Sequence, residues 1–162
     1  YPRMSIEAIS KAIQDRLTQQ LITDRQAAGL PPLLETVYGH TDYAAVPEEN
    51  IVCPSAAVVY SGYTPQQTPG NAANMAHVQL VAFSWLVVLN VSNAGDTGTG
   101  EGVQDEVSPL FDACMQALLG FRPVPGFTPL KLDPAPGAAV SDAGFGYYPL
   151  AFTTAATYRG KP

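Results

Sequence analysis

The most continuous apolar stretch of the chain, His77 to Val91 (HVQLVAFSWLVVLNV), is hydrophobic at both alternating sets of positions. Val81, Phe83, Trp85, Val87 and Leu89 form one set, and Val78, Leu80, Ala82, Leu86 and Val88 the other. A run so rich in β-branched and aromatic residues predicts a central strand covered on both faces. A buried helix also holds apolar runs, but Val loses rotamer freedom in a helix, and Asn90 with Ser92-Asn93-Ala94-Gly95 supplies a strand-ending turn. Extended at ~3.3 Å per residue the run reaches roughly 50 Å, whereas a compact domain of this size has a radius of gyration of about 15 Å. The strand is therefore expected to bend, bulge or project toward another subunit.

The period changes elsewhere. From Ser5 to about Ala28, Ile6, Ile9, Ile13, Leu17 and Leu21 recur at three-to-four spacing, which predicts a helix docked on a sheet by one stripe, capped by Ser5 and ended by Gly29. Leu33 to Tyr38 predicts a short strand stopped by Gly39, His40 to Asn50 a loop, and Ser55 to Tyr60 a second strand. Ser61 to Ala76, broken by Pro65, Pro69 and Gly70, predicts a surface loop. A flexible tip is expected around Asn93 to Gly102, then a second helix from Asp105 or Ser108 to Leu119. Ser108-Pro109 is its N-cap and N1 pair, and Leu110, Cys114, Leu118 with Phe111, Met115, Leu119 its apolar side. Gly120 closes it. Phe121 to Gly126 is a stiff connector, Pro129 to Leu132 a short strand and Asp133 to Gly146 a loop. Tyr147 to Tyr158 is the last strand, its start placed by Pro149 at an edge or bulge. This order predicts an α/β (α+β) fold, a single mixed, largely antiparallel sheet flanked by two main helices.

With 162 residues, 46% of them hydrophobic, one domain with one core is expected. No apolar run reaches the ~18 residues of a membrane span, and Tyr1-Pro2-Arg3-Met4 leads into an amphipathic segment without a signal-peptide core, so a cytoplasmic product is expected. Charge is distributed unevenly. Between Gln26 and Phe121 there is no Lys or Arg, against Glu35, Asp42, Glu48, Glu49, Asp96, Glu101, Asp105, Glu106 and Asp112. Such a region repels phosphate, which argues against nucleic-acid binding. The glycine run Gly95 to Gly102 lacks the Lys and Ser or Thr of a phosphate loop, and its acids oppose that role.

Catalytic chemistry finds no constellation. His40 precedes Asp42 in a loop and His77 opens the long strand, with no nucleophile motif near either. Cys53 and Cys114 sit in apolar contexts without metal-ligand spacing and are expected to be buried free thiols. Glu48-Glu49 and Asp105-Glu106 point to different sides of their elements. No catalytic, cofactor-binding or metal residue is assigned, and the chain is not expected to be an enzyme.

Taken together, Ile6 to Leu17 (IEAISKAIQDRL), the Val78 to Val91 strand with its tryptophan, Pro109 to Pro123 (PLFDACMQALLGFRP) and Tyr147 to Tyr158 (YYPLAFTTAATY) resemble the tail terminator proteins of tailed bacteriophages. The likeness is strongest to the family of Mu-like contractile-tail phages, with the lambda-type tail terminator fold. The resemblance implies a structural virion protein without cofactor. Six copies form a ring that caps the tail tube, ends its polymerisation and offers the surface for neck attachment at the tail–neck junction. Implied partners are further copies of the chain, tube and sheath proteins and a neck connector, with DNA passing through unheld. The alternatives are another phage neck or baseplate adaptor, or a small ligand-binding or hydrolytic α/β domain with a pocket at His40 or His77.

On this basis Asp96, Gly98, Gly100, Glu101, Arg122 and Arg159 are the expected interface residues, Glu48 and Glu49 the expected lumen carboxylates, and Phe83, Trp85 and Phe152 the core anchors. The Ser61 to Ala76 insert has no placed counterpart in the family.

Overall fold

The computed structural model describes residues 4–67, 77–92 and 101–161, and of residues 101–105 the backbone alone. Helix α1 (Ile6–Thr18) runs through a π turn (Gln19–Thr23) into α2 (Asp24–Ala27). Ser5 caps it, its Oγ accepting from the Ala8 amide at 3.1 Å, and Gly29 at φ +74° ends it. Ile9, Ile13, Leu17 and Leu21 are buried at four-residue spacing. In a straight α-helix each such step drifts ~40° around the axis. The wider π turn takes back part of that drift and returns Leu21 to the core. Ile6, expected in the stripe, is 44% exposed instead.

The six described strands are β1 (Thr36–Tyr38), β2 (Ser55–Gln66), β3 (Val78–Ser92), β4 (Lys131–Asp133), β5 (Ala139–Val140) and β6 (Phe145–Arg159). They form one mixed sheet in the order β1-β2-β3-β6-β4, with β5 also on β6. Only β1 and β2 are parallel. The apolar run is the central strand: β6 pairs with all of it, from Val78↔Arg159 to Ser92↔Phe145, and β2 with most of it. It does not project alone.

Two expectations about this region are corrected. Ser61 to Gln66 is strand, not loop, because β3 continues beside it and the register shifts between Tyr60 and Gly62, a bulge that Gly62 accommodates at φ +120°. Pro65 is tolerated because β1 pairs only with Ser55 to Ala57, leaving no described strand on the outer side of β2. Residues 68–76 of the expected loop lie outside the described residues. Nor is β3 covered equally on both faces. Phe83, Trp85, Val87, Leu89 and Val91 are buried against the helices, while Leu80, Ser84, Leu86 and Val88 on the other face are half-buried.

The reason is that both main helices lie on one face. Helix α4 (Glu101–Leu118) buries Val107, Leu110, Cys114, Ala117 and Leu118 in the same core as Ile9, Ile13 and Leu17 of α1. Arg16 ties the pair, its Nε donating to the Ala117 carbonyl at 2.9 Å and its guanidinium lying over Phe121. Helix α4 also starts earlier than expected: Pro109 sits inside it, not at N1, and forgoes one backbone bond while the flanking Val107 and Leu110 stay buried. Phe111 and Leu119 face outward, 39% and 45% exposed, since the inward stripe follows Leu110, Cys114 and Ala117. Gly120 at φ +77° closes the helix as expected.

His40 to Asn50, expected as loop, contains α3 (His40–Ala45) and a 3-10 turn (Glu48–Asn50). Short polar helices of this kind lack the apolar stripe on which a sequence reading depends. Pro149 lies in β6 opposite Val88, between the stretches paired to β5 and β4, where its missing N–H breaks no ladder.

Candidate assembly surfaces

Three features stand out on the far face and edges of the sheet. At the end of β3, Asn90 is fully buried and satisfied: its Nδ2 donates to Ser55 Oγ at 3.1 Å and its Oδ1 accepts from the Tyr43 hydroxyl at 2.8 Å. This locks α3 onto β2 and β3. Beside it Glu48 accepts from Ser141 Oγ at 2.5 Å and from the Tyr147 hydroxyl, joining the 3-10 turn to the β5–β6 connection. Burial, the bond to Glu48 and its charge push the Tyr147 phenol up to about 12. Burial, then Cys53 and Glu48, raise Tyr43 as well. These phenols stay protonated donors, and the cluster works as a fastening.

The two cysteines differ. Cys114 is buried and its thiol is pushed up to about 12 by burial. Cys53, expected to be buried, is half-buried just before β2, near enough to Glu106 for that charge to add to the effect of burial in raising its thiol. Among the described residues no group of three or more His, Cys, Asp or Glu is placed to hold a metal ion.

The second feature is an open groove of about 700 Å³ where β1 stops and the chain turns away at Gly39. Ile6, Glu7, Ser10, Lys11 and Gln14 of α1 form one wall, Gly39 to Asp42 another, and Tyr60 of β2 the floor. His40 lies here, but it shares α3 with Asp42 two positions on, where the two side chains diverge. His77 sits apart before β3, its carbonyl accepting from the Gly160 amide at 2.6 Å. The groove brings no catalytic pair together. Among the described residues its acids are Glu7 and Asp42, and its cation Lys11 is engaged by Asp15 at 3.2 Å.

The third feature is the opposite edge. Every Lys and Arg after Arg25 lies there: Lys131 in β4, Arg159 at the end of β6, Lys161 beyond it, and Arg122 next to Phe121, whose carbonyl accepts from the Leu130 amide just before β4. All four are exposed, as is Leu132 at 46%.

Phe83, Trp85 and Phe152 are buried in the core, and Trp85 Nε1 donates to Ser10 Oγ at 2.8 Å. Of the expected interface residues, Asp96, Gly98 and Gly100 lie outside the described residues, as does the side chain of Glu101. Arg122 and Arg159 are both on the basic edge. Glu48 is half-buried in the fastening and Glu49 beside it is exposed. Glu7 and Tyr60 of the groove were not singled out by sequence, and Ile6 was expected in the core, because nothing in the spacing of α1 announces that its first turn overhangs the sheet edge.

No curated protein sequence matches the chain significantly. The family model described as phage tail terminator protein matches residues 13–162, nearly the whole chain, which therefore belongs to that family of structural phage-tail proteins.

Proposed function

We propose that the chain is a one-domain subunit of a hexameric ring that caps the finished tail tube, ends its polymerisation and presents the surface to which the neck attaches. The observation that carries this reading is the family match over residues 13–162. The two unlike edges of the sheet support it, since contacts between different surfaces run head to tail and close into a ring where the rotation per subunit allows. In this reading the partners are further copies of the chain, the tube and sheath proteins of a contractile tail and a neck connector protein, with no membrane contact. Assembly takes place in the host bacterial cytoplasm and the ring ends at the tail–neck junction of the virion.

Asp96, Gly98, Gly100, Glu101, Arg122 and Arg159 are the proposed interface residues, and Glu48 and Glu49 the proposed lumen pair. Glu49 is the better placed of the two, because Glu48 is already engaged by Ser141 and Tyr147. A bore built from the Gln26 to Phe121 region adds no Lys or Arg, which symmetry would otherwise multiply into a collar that holds DNA by counterion release.

The test is tail length. Phage lacking this protein should build overlong tubes without heads, and purified protein should stop tube growth in vitro and appear as rings in negative stain. Tails of normal length in its absence would refute the reading. Labelled protein found at the distal tip of the tail would make it a baseplate adaptor instead.

A further inference from the structure

Among the described residues, the large apolar side chains left exposed gather at the two ends of the sheet, apart from Leu30 and Val52 in loops. Ile6 and Tyr63 belong to the β2 end. Ile6 lines the groove with Tyr60, and Tyr63, 65% exposed, follows Tyr60 on the helix face of β2, opposite Phe83. Phe111, Leu119, Leu132 and Val140 belong to the other end. Single exposed apolar residues are ordinary on a protein surface, whereas a contiguous patch marks a place where something docks.

The fold makes the second group contiguous. Glu106 is close to Cys53, just ahead of β2, so its flank of α4 faces α1 and β2. Phe111 comes five residues later, ~140° round the helix axis, and therefore lies on the opposite flank, toward β6. Met115, half-buried, and Leu119 continue that row at four-residue spacing. The row ends beside β4, because the Gly120 amide donates to the Leu130 carbonyl at 3.0 Å and the Leu130 amide to the Phe121 carbonyl at 2.8 Å. On the sheet, Leu132 pairs with Phe152, and Val140 with Gly146 opposite buried Val91, which turns both side chains to the helix face. The link between them, Pro134 to Ala138, is exposed and carries no charge. The α4 row and the β4–β5 rim thus form one apolar strip, and its exposure shows that no described element covers it.

We propose that this strip receives Ile6 and Tyr63 of the next copy of the chain. Within one subunit the two patches cannot cover each other, because the sheet order holds them at opposite ends. A two-fold contact would bury one kind of patch and leave the other bare on both copies. A head-to-tail contact buries one of each, so a closed ring leaves neither exposed. Both patches lie on the helix side of the sheet, and neighbours that meet through them keep their helix layers at one level, an arrangement that rotation about a ring axis preserves. The inference rests on the ring reading above and supplies that ring with its subunit interface. Apolar burial gives the contact its strength, with the Tyr63 ring as its largest anchor.

The experiment is a mixing test read by sedimentation velocity over a concentration series. Leu119→Glu with Leu132→Glu spoils the strip, and Ile6→Glu with Tyr63→Glu spoils the opposite patch. All four positions are exposed, and thermal melts by circular dichroism check that each variant folds. Each double variant alone should stay monomeric at concentrations where the wild type assembles, its dissociation constant raised about tenfold or more. An equimolar mixture of the two should form a 1:1 dimer and nothing larger, because each variant keeps the patch that the other has lost. That dimer should dissociate within about threefold of a single wild-type contact. If the wild type assembles but either variant does so equally well, or if the mixture stays monomeric, the contact is refuted and the ring reading stands. An Ile6→Glu, Tyr63→Glu protein that still dimerises alone shows that the strip pairs with its own copy, and refutes the contact as well. Assembly that appears only on adding tube protein assigns the strip to that partner instead. A wild type that stays monomeric at every concentration, alone and with tube protein, removes the ring and this interface together.

Discussion

Replacing Trp85 with Ala tests whether the long strand anchors the core or a binding surface. The indole is fully buried, lies opposite Phe152 on β6 and Tyr60 on β2, and its ring centroid is 5.1 Å from that of Tyr60. A buried Trp removes ~150–250 Å² from water, which at ~25 cal/mol per Å² corresponds to about 4–6 kcal/mol. Alanine keeps part of that burial and the site relaxes partly, so the expected loss is about 3–5 kcal/mol. Against a net stability of about 5–15 kcal/mol, this is a fifth or more of what holds the fold. With a urea slope of ~2 kcal/mol per M, the unfolding midpoint should fall by roughly 1.5–2.5 M at unchanged slope. Far-UV circular dichroism is the probe, because Trp85 is the only tryptophan. Ser10→Ala isolates the polar part: it orphans a buried indole N–H and should cost about 1–2 kcal/mol, a midpoint shift of roughly 0.5–1 M. A soluble Trp85→Ala protein with an unshifted midpoint that loses only assembly would refute the core assignment.

Two further expectations follow from the pKa shifts. Tyr147, raised from 10 to about 12, is favoured as the neutral phenol in the fold, so its contribution is intact below pH 10 and is lost as pH rises from 10 toward 12. Absorbance titration near 295 nm should show a late component that Tyr147→Phe removes; its persistence in that variant would refute the assignment. A thiol reagent at pH 8 should label Cys53 well before Cys114, which should react only on the timescale of unfolding, because burial both shields Cys114 and holds its thiol protonated. Mass spectrometry of partly labelled protein with the label on Cys114 first would contradict the packing of α4.

What was legible in the sequence is what hydrophobic period encodes. The β3 run, the α1 stripe and the strand around Leu150 and Phe152 each bury a face that their spacing announced. The errors share a physical cause: each concerns a segment whose structure is set by a neighbour. Ser61 to Gln66 has loop composition and becomes strand because β3 runs beside it and a bulge at Gly62 keeps the pairing. Helix α3 has no apolar stripe and is fastened by a bond from Tyr43 to a buried Asn90 distant in sequence and by the Tyr43 ring against Tyr38. Pro109 looked like a helix start because local chemistry favours that position, and the packing of Val107 and Leu110 on either side prevailed.

The candidate surfaces were legible in content but not in place, and the sheet order explains how the two are connected. The absence of Lys and Arg between Gln26 and Phe121 was first a statement about one segment, and it suggested a bore that does not hold DNA. In the fold, that segment supplies β1, β2, β3 and α4, while β4 and β6 come after Arg122. Since β1 and β2 lie at one end of the sheet and β6 and β4 at the other, a division along the chain becomes a division across the subunit. Helix α1, which precedes the gap, places both Glu7 and Lys11 at the groove beside β2 while its Arg16 is engaged at Ala117 and Phe121. With carboxylates in excess at one edge, where Lys11 sits beside Glu7 and Asp42, and cations in excess at the other, where Asp133 sits beside Lys131, like edges repel and unlike edges attract. In the proposed ring, electrostatics of this kind would favour the head-to-tail arrangement over a two-fold dimer before any specific contact forms. Raising the salt concentration should therefore weaken assembly mainly by slowing association, with little change in the rate at which formed contacts break.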